Sequence, residues 1–483
     1  MQTTQPANPS NVLDTLIVGA GISGLSLGHT LQNDKAPTDS RPWKILVTES
    51  QGRVGGRIVS SSGDGFLWEE GPNSFSPTPA LLKLAVDVGL KDELVFADRR
   101  LPRYVYWKGE LIPVPMSPPA LVKSHLLSLS GKLRALMGAL GFVPPAMGGE
   151  ETVGQFFRRH LGAEVTQRLV EPFVSGVYAG DPDQLSAAAA FGRVAKLTEV
   201  GGGLIAGAVL SRRPKSQPVV TDPNVPKTKP GELGSFRTGM QALPEAIAKK
   251  LGENLKLNWR LLQLRPTDRQ TYIAEFSTPE GSQQIEARSV VLTTPAYVTA
   301  ELLQPLQPPI SHALEELSYP PVACVVLAYP ADAFKDKLQG FGNLIPRGQG
   351  IRTLGTIWAS SLFADRAPEG WNLLINFIGG ATDLEIGDLD QAQIVEAVHQ
   401  DLCRSLLKTD VPPKVLAVNV WKRAIPQYTL GHHRRLEQIE QGLRQLPGLY
   451  LCGNYTDGVA LGDCVRRGID CASVVGQYLA VKN

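Results

Sequence analysis

Apolar and polar positions near the start of the chain follow the order of a strand, a helix and a second strand. Residues 14–18 form a short apolar run that predicts a buried strand, and a glycine-rich turn follows immediately. A helical apolar spacing then extends to about Gln32, and residues 44–48 form a second apolar run. Because strands that alternate with helices lie side by side in a parallel sheet, the pattern predicts an α/β fold.

A different pattern occupies residues 111–148, which are bounded by prolines and predicted to form helices. Leucines recur here at helical spacing, interleaved with Lys123, Lys132 and Arg134. Such an apolar face can lie on a membrane surface or be buried as a cap against the rest of the protein, and the spacing leaves both open. No run reaches the roughly 18 to 20 apolar residues that a membrane-spanning helix needs. The leucines are Leu121, Leu126, Leu127, Leu129, Leu133, Leu136 and Leu140.

Composition narrows the class of protein. The 483 residues are 43% apolar and 19% charged, with 48 basic against 46 acidic side chains. The apolar fraction excludes general disorder, the length suggests about two to three domains, and the balanced charge lacks the basic excess of a nucleic-acid-binding protein. Five cysteines without paired spacing indicate a reducing compartment. Residues 1–12 contain no Lys or Arg and predict a short disordered leader, not an export signal.

The glycine turn after the first strand has the G-x-G-x-x-G spacing of a dinucleotide-binding site. Gly19 makes the tight turn, Gly21 lets the backbone approach a pyrophosphate, and Gly24 allows helix and strand to pack closely. The helix N-terminus offers N–H groups to the phosphates. Glu49 can accept hydrogen bonds from both ribose hydroxyls, and a surface insertion at residues 36–42 explains its longer spacing from the turn. The predicted cofactor residues here are Gly19, Ala20, Gly21, Ile22, Ser23, Gly24, Glu49 and Ser50.

Later segments resemble the flavin-binding signatures of amine-oxidase-type flavoproteins. Residues 49–57 place Arg57 after a second glycine pair, and residues 69–74 match a turn that lies against the flavin in that family. Residues 448–462 form a strand, a glycine turn and a helix from about Val459. The resemblance implies one non-covalently bound FAD per chain rather than NAD. It adds these cofactor residues: Arg57, Gly71, Pro72, Asn73, Ser74, Leu261, Trp421, Gly453, Val459, Ala460 and Leu461.

Within that superfamily, the chain resembles the oxygen-dependent protoporphyrinogen oxidases over nearly its whole length. The family implies an α/β (α+β) fold in which a Rossmann-like FAD-binding domain is interleaved with a mixed-sheet substrate domain and a helical membrane-binding lobe. Residues 176–181 are similar to the plastid and cyanobacterial branch. Because residues 1–12 also lack the arginines of an organelle transit peptide, a bacterial cytoplasmic protein is expected, attached peripherally to the cytoplasmic or thylakoid membrane. The segments that carry the resemblance are 102–115, 171–182, 354–357, 376–380 and 426–432.

The resemblance also assigns substrate-binding residues. Arg103 would pair with a propionate carboxylate, and Gly176 would let the backbone reach the tetrapyrrole. Leu344 and Ile357 would sandwich one pyrrole ring, and Phe377 would stack on another. Without the resemblance, Arg103 is assigned to a surface ion pair and the apolar residues to core packing. No metal site and no protein acid or base is expected, because the chemistry is centred on the flavin.

The implied activity is a six-electron oxidation of protoporphyrinogen IX to protoporphyrin IX in haem and chlorophyll biosynthesis, with oxygen as acceptor and hydrogen peroxide as product. Coproporphyrinogen III oxidation, another flavin amine oxidase or desaturase, and a non-catalytic carrier of the Rab-escort type are the alternatives. A carrier would not need Glu49, Arg57 and the C-terminal segment together. Expected partners are the tetrapyrrole, oxygen and a membrane surface, but no nucleic acid. A homodimer and product handover to a ferrochelatase or magnesium chelatase are left open.

The expected domains interleave along the chain. A strand over residues 255–261 is expected to return the chain to the FAD-binding domain. The units are a disordered leader (1–12), an FAD-binding domain in three parts (13–100, 235–298 and 416–483), a substrate domain in two parts (101–110 and 299–415), a helical membrane-binding lobe (111–210) and a mobile loop (211–234).

Overall fold

The computed structural model describes residues 12–34, 41–146, 148–201, 203–210 and 222–481. Most of the predicted leader and insertion, and residues 211–221 of the predicted mobile loop, lie outside these ranges. Within them, the strand–helix–strand unit near the start is confirmed, because its two strands are parallel neighbours. In the described ranges, no helix is both long enough and apolar enough to cross a membrane.

The described residues form both strands and helices. The strands are β1 (Leu13–Val18), β2 (Ile45–Thr48), β3 (Ser60–Gly63), β4 (Phe66–Glu69), β5 (Leu94–Ala97), β6 (Arg103–Trp107), β7 (Glu110–Pro113), β8 (Leu233–Phe236), β9 (Leu255–Lys256), β10 (Arg260–Pro266), β11 (Tyr272–Thr278), β12 (Gly281–Leu292), β13 (Val322–Pro330), β14 (Gly342–Leu344), β15 (Thr353–Trp358), β16 (Trp371–Gly379), β17 (Lys414–Trp421) and β18 (Leu449–Leu451). The helices are α1 (Ile22–Asn33), α2 (Pro79–Asp87), α3 (Pro118–Lys123), α4 (Leu129–Ala139), α5 (Val153–Leu161), α6 (Ala163–Val165), α7 (Glu171–Tyr178), α8 (Ala187–Ala190), α9 (Gly192–Gly201), α10 (Leu204–Leu210), α11 (Ala242–Leu251), α12 (Ala296–Leu303), α13 (Pro308–Glu315), α14 (Ala359–Leu362), α15 (Gln391–Ser405), α16 (His432–Leu443) and α17 (Leu461–Val481).

The first sheet has a parallel part with the order β9-β2-β1-β12-β18, and β10 and β11 extend it as an antiparallel hairpin on β12. Its central strand is apolar on both sides because both faces are covered. Ile17 packs with α1, α11 and α17, whereas Leu16 packs with α12, α13 and α16. This sheet holds the predicted dinucleotide turn at the carboxyl end of β1.

The second sheet has the order β17-β13-β16-β15-β14-β6-β7 and is mixed, since β14 and β6 are parallel. Alternate residues of β13 show how its two faces are used. Val325 and Leu327 pack under α15, whereas Cys324 and Val326 pack against Phe66 and its neighbours on β4. The second sheet therefore turns one face towards the segment that carries the predicted flavin turn. The expected mixed α/β architecture is confirmed.

The helical lobe, α3 to α10, leaves an apolar surface uncovered. Leu129 and Leu133 on α4 have 84% and 59% of their surface exposed, and Leu136 and Phe142 are exposed as well. Leu126 and Leu127, which belong to the same predicted leucine pattern, are instead buried, and Leu127 packs between Ala135 of α4 and Val165. Some leucines of the pattern therefore attach the segment to the protein, and the others form an exposed apolar face on α4.

Three expected domain boundaries are wrong because they cut through hydrogen-bonded or packed units. Strand β7, expected in the helical lobe, forms a hairpin with β6 in the second sheet. Helices α12 and α13, expected mainly in the substrate domain, pack on the first sheet through Ala300, Leu303, Ile310 and Leu314. Strand β17, expected mainly in the last FAD-binding part, is paired with β13 in the second sheet.

Two local expectations also need correction. Residues 255–261 are not one strand: β9 pairs with β2 and ends at Lys256, and β10 begins at Arg260 next to β11. The chain leaves one edge of the sheet there and joins the hairpin instead. The last helix, expected from about Val459, begins at Leu461.

Candidate active site

The turn between β1 and α1 is shaped by close contacts that exclude side chains. Gly19 has a φ of +108°, and a Cβ added to Gly24 would lie 2.0 Å from the Gly19 carbonyl oxygen. By contrast, a Cβ at Gly21 would meet nothing within 4 Å. Gly21 is also the N-cap of α1 and makes no side-chain cap. The turn therefore presents open space directly in front of the helix N-terminus, as a bound pyrophosphate requires.

Glu49 lies beside this turn and fixes it. One carboxylate oxygen accepts a hydrogen bond from the Ala20 N–H at 2.9 Å, and the other accepts from the Gln51 N–H at 3.0 Å. Ser50 is exposed next to Glu49, and its hydroxyl donates to that second oxygen. The structure thus brings Glu49 and Ser50 to the rim of the dinucleotide turn. Ile22 and Ser23 are buried in the first turn of α1.

The second glycine pair is joined directly to the first. Gly55 forms a parallel bridge with Gly21, and the Gly55 N–H donates to the Ala20 carbonyl at 2.8 Å. Arg57 follows, with its Nη2 donating to the Arg423 carbonyl at 2.6 Å. Its guanidinium lies 4.4 Å from the ring centre of Trp421. Arg57 and Trp421, distant in sequence, therefore meet at the end of β17.

An open cavity of about 330 Å³ lies at this junction. Arg423 stacks over the Tyr297 ring at 4.4 Å, and Tyr297 Oη accepts a hydrogen bond from Arg57 at 3.3 Å. Cations and aromatic rings thus alternate around the cavity, which suits an anionic or electron-rich aromatic ligand. The residues that line it are Arg57, Tyr297, Val420, Trp421, Lys422 and Arg423.

Residues 69–74 form the turn that the sequence assigns to the flavin. A Cβ on Gly71 would lie 2.0 Å from the Arg57 carbonyl oxygen, so this position needs glycine for the two segments to touch. Trp421 Nε1 donates to the Glu70 carbonyl at 2.8 Å and ties the turn to β17. Asn73 is buried, and its amide nitrogen has no hydrogen-bond partner. A buried donor without a partner is costly, so Asn73 has an unmet hydrogen bond that a ligand would satisfy. Pro72 and Ser74, on either side of Asn73, are half-buried.

The C-terminal segment is fixed internally by an arginine that the sequence analysis did not single out. Arg467, on α17, donates to the Gly453 carbonyl and to the Thr456 hydroxyl. Val459 and Ala460 precede α17 and are not part of it, while Leu461 is its first residue. The N-terminus of α17 therefore lies two residues later than expected.

A buried ion pair lies directly behind the flavin turn. Glu69 accepts hydrogen bonds from the Ser60 hydroxyl at 2.5 Å and from the Met240 N–H at 3.0 Å, and Arg366 Nη1 lies 3.9 Å from its carboxylate. Burial raises the pKa of Glu69 to about 7, although the two hydrogen bonds and Arg366 oppose that shift. Glu69 is thus a carboxyl group that titrates near neutral pH inside the fold.

Four of the five predicted substrate residues project from one face of the second sheet. Across β6, β14 and β15, Arg103 pairs with Gly342, and Gly342 pairs with Ile357. Across β14, β15 and β16, Leu344 pairs with Gly355, and Gly355 pairs with Phe377. Directly paired residues project to the same side, and residues two apart on a strand do so as well. The side chains of Arg103, Leu344, Ile357 and Phe377 therefore share the face that also carries Trp421 and contacts β4.

Gly176 closes this face from above through helix α7. A Cβ on Gly176 would lie 2.3 Å from Leu344 Cδ2, so its contact in this structure is with that leucine. At the other end, the Arg103 guanidinium lies 5.3 Å from the Phe341 ring centre and donates a 3.4 Å hydrogen bond to the Gly231 carbonyl. Among the described residues, Arg103 has no acidic partner within ion-pair distance. Its positive charge is therefore available to a carboxylate of a ligand.

Two residues lie outside this arrangement. Leu261 is on β10, opposite Phe276, and its side chain is buried in the core beneath the first sheet. A backbone role for Leu261 in cofactor binding stays a prediction. His432, at the start of α16, is 1% exposed and stacks on Tyr428 with ring centres 4.3 Å apart. Burial, together with Arg435, lowers its pKa to about 4, so His432 is a neutral packing residue.

Comparison with known proteins identifies the family. The profile of the flavin-containing amine oxidoreductases matches residues 22–476. The chain belongs to this family. It is 46% identical over 483 residues to the chloroplastic protoporphyrinogen oxidase of Nicotiana tabacum, covering 98% of this chain and 87% of the relative. The coproporphyrinogen III oxidase of Bacillus subtilis is 30% identical over 480 residues, covering 96% and 98% of the two chains.

A solved structure supports the fold of this flavin oxidoreductase. The crystal structure of a protein from Exiguobacterium sp. 255-15, provisionally named a protoporphyrinogen oxidase, has a TM-score of 0.76 and 25% identity. The alignment covers 96% of this chain and 98% of that one. Membership of a flavin family agrees with the geometry of this site. The N-terminus of α1 has no side-chain cap, the space at Gly21 is open, and the Asn73 amide nitrogen has no partner, so a bound cofactor could contact all three.

The sequence analysis missed several residues that complete the flavin region. Tyr297, Arg423 and Arg467 each contact a predicted cofactor residue, and Glu69 supports the flavin turn from below. Tyr297 lies five residues after the end of β12 at Leu292, and ligand-binding loops occur at such carboxyl ends of parallel strands. The place of Tyr297 after a predicted strand could therefore have identified it as a ligand-binding candidate from the sequence. The pairing of Arg467 with Gly453 depends on the way α17 folds back and had no local signal.

Proposed function

We propose that this chain uses one non-covalently bound FAD to oxidise protoporphyrinogen IX to protoporphyrin IX. Three two-electron rounds would remove six electrons and six hydrogens, and three molecules of oxygen would become three molecules of hydrogen peroxide. The observation that carries the proposal is the 46% identity over 98% of the chain to a protoporphyrinogen oxidase. The placement of the assigned substrate side chains on one sheet face supports it.

The chain's own residues would hold FAD along the line from β1 to β17. Glu49 would bind the ribose, the Gly19–Gly24 turn and α1 the pyrophosphate, and Asn73 the flavin end. Bound FAD supplies the two-electron acceptor for a hydride from a bridging carbon of the macrocycle. Trp421 and Arg57 would help to hold the flavin, because Arg57 stacks on Trp421 and donates to the Arg423 carbonyl, and Trp421 donates to the Glu70 carbonyl.

The substrate would lie against the shared face of the second sheet. Leu344, Ile357 and Phe377 are half-buried there and would exclude water from an apolar ring system. Arg103 would anchor a propionate, since its planar guanidinium can donate two parallel hydrogen bonds to a carboxylate. Gly176 would act by leaving room for Leu344 under α7.

The test is anaerobic mixing of the purified, flavin-loaded protein with protoporphyrinogen IX while the oxidised-flavin absorbance is recorded. We expect rapid bleaching, followed by recovery when oxygen is admitted and hydrogen peroxide forms. Porphyrinogens also oxidise spontaneously in air, so flavin reduction is safer evidence than porphyrin fluorescence. Protoporphyrin IX, which has no hydride to give, is the control ligand. A flavin that stays oxidised in contact with protoporphyrinogen would refute the proposal.

Coproporphyrinogen III is the second candidate substrate because a 30% identical relative acts on it by name. It has four carboxylates against two, so it needs more cations around the pocket. The same mixing experiment separates the two substrates. Faster bleaching with coproporphyrinogen than with protoporphyrinogen would transfer the assignment to the second candidate while leaving the flavin chemistry in place.

We further propose that the protein works in the bacterial cytoplasm at a cytoplasmic or thylakoid membrane surface, attached through α4. The exposed leucines of α4 form an apolar side on that helix, and such faces insert into the headgroup region of a bilayer. The product, poorly soluble in water, would then pass to a metal chelatase along the membrane.

A further inference from the structure

On the side of the second sheet remote from the substrate face, three side chains with metal-binding atoms meet. His399 and Cys403 lie four residues apart on α15, so they share one side of that helix. Asp410 comes from the loop between α15 and β17. His399 Nε2 is 2.8 Å from Asp410 Oδ1 and 3.7 Å from Cys403 Sγ, and Sγ is 4.0 Å from Oδ1.

These distances suit a tetrahedral ion. Zinc takes nitrogen and oxygen ligands at about 2.0 to 2.1 Å and thiolate at about 2.3 Å, so the edges of its tetrahedron are roughly 3.3 to 3.6 Å long. The two sulfur distances need only a small contraction to reach that range. Asp410 is exposed and can move outward by the roughly half ångström that a metal between it and His399 would require.

The histidine is already oriented for coordination. Tyr329 is fully buried on β13, and its hydroxyl lies 2.8 Å from His399 Nδ1. When Nε2 binds a metal, Nδ1 carries the proton and donates it to the Tyr329 oxygen. Such a partner fixes the ring and the tautomer of a metal-bound histidine. An ordinary surface His–Asp ion pair needs neither this buried support nor a thiol beside it.

We propose that His399 Nε2, Cys403 Sγ and Asp410 Oδ1 form a binding site for a zinc-type divalent cation, with solvent at the fourth position. The ion would tie the last turns of α15 to the loop that leads into β17. Because α15 covers the face of β13 opposite the substrate residues, the role is structural and separate from the flavin chemistry. Metal binding would displace the proton of the Cys403 thiol.

The test uses the untagged, flavin-loaded protein, stripped of metal by a chelator and then dialysed against Zn²⁺ or Co²⁺. We expect one tightly held zinc per chain by elemental analysis and a higher melting temperature in its presence. Cobalt should add visible bands typical of tetrahedral coordination at longer wavelengths than oxidised flavin absorbs. It should also add a near-ultraviolet thiolate charge-transfer band that reports Cys403.

Matched variants separate this site from adventitious binding. Cys403→Ser and Asp410→Asn should each weaken zinc binding at least about tenfold and abolish the melting shift, and Cys403→Ser should remove the charge-transfer band. The controls Cys471→Ser and Asp388→Asn remove a thiol and an exposed carboxylate outside the cluster and should bind as the unchanged protein does. A protein that holds no stoichiometric zinc, or a cobalt spectrum unchanged in Cys403→Ser, would overturn the proposal.

Discussion

Two carboxylates near the proposed flavin have different tasks because their surroundings differ. Glu49 lies at the rim of the dinucleotide turn and accepts hydrogen bonds from backbone N–H groups on both sides. Glu69 is 1% exposed and faces Arg366 inside the fold. The first can exchange part of its hydrogen bonding for a ligand's hydroxyls, whereas the second is buried away from solvent. We therefore assign binding to Glu49 and support of the flavin turn to Glu69.

Replacing Glu49 should weaken flavin retention. In Glu49→Ala the charged acceptor for the ribose and the anchor of the Ala20 N–H are both lost, and hydrogen bonds to charged groups contribute about 1.5 to 3 kcal/mol each. We expect at least tenfold weaker FAD binding, measured as flavin absorbance per protein after gel filtration. Glu253→Ala, which removes an exposed carboxylate outside the cofactor turn, is the control. A fully flavin-loaded Glu49→Ala protein would contradict the assignment.

Arg103 should affect substrate binding and leave the flavin in place. Losing a bidentate, charge-assisted contact should raise the apparent KM for protoporphyrinogen about ten- to hundredfold in Arg103→Ala, with a smaller change in kcat. Arg103→Lys should recover only part of the loss, because Lys is a point charge without the planar fork.

The control for Arg103 is Arg100→Ala. Arg100 is exposed three residues earlier and is already paired with Asp98. Loss of flavin from Arg103→Ala, or an equal rise of KM in the control, would remove Arg103 from the substrate site.

At the scale of elements, the signals that worked were local ones. The strand, turn and helix around Gly21 are contiguous, so their apolar spacing and glycines predict both the unit and its chemistry. The second sheet depends on pairings distant in sequence: β17 with β13, and β6 with β14. The family resemblance supplied its substrate residues, but no local pattern showed where β7, α12 or β17 would pack. The predicted domain boundaries were therefore wrong where pairing between distant segments of the chain decides which sheet an element joins.

The exposed side of α4 carries a prediction about membrane attachment. Changing Leu129, Leu133 and Leu136 together to Gln removes the apolar surface that would enter the bilayer, where each buried leucine contributes up to about 1.5 to 3 kcal/mol. We expect more than tenfold weaker co-sedimentation with lipid vesicles and little change in bleaching by detergent-dispersed substrate.

The control for α4 is Leu262→Gln with Leu384→Gln, which changes leucines of similar exposure on other surfaces. Equal loss of vesicle binding in that control, or unchanged binding in the α4 variant, would exclude α4 as the attachment site.

At the scale of the whole molecule, the two sheets are tied together at the flavin turn. Trp421 and Asn419 on β17 donate to the Glu70 carbonyl and carboxylate, and Arg57 donates to the Arg423 carbonyl. Glu69 itself ends β4, whose neighbours pack against the second sheet. The proposed cofactor-binding and substrate-binding units therefore share one short segment, and a change in the charge of Glu69 acts at their junction.

This junction should make stability depend on pH. Burial raises the pKa of Glu69 from 4.5 in the unfolded chain to about 7 in the fold, so the native state retains a proton that the unfolded state releases. The contribution of Glu69 to stability is therefore full below about pH 4.5 and is lost as pH rises to about 7, a change of about 3 kcal/mol. Glu69→Gln keeps a neutral, similar shape at every pH.

The melting temperature of Glu69→Gln relative to the unchanged protein should accordingly rise between pH 5 and pH 8 and then level off, because only the unchanged protein acquires a buried charge over that interval. The measurement is a series of thermal melts of the flavin-loaded protein, followed by tryptophan fluorescence. Glu280→Gln, which removes an exposed carboxylate of the same type, shows the effect of charge loss alone. A melting difference for Glu69→Gln that is constant with pH would mean that Arg366 holds Glu69 ionised throughout, and the junction would then be a permanent ion pair.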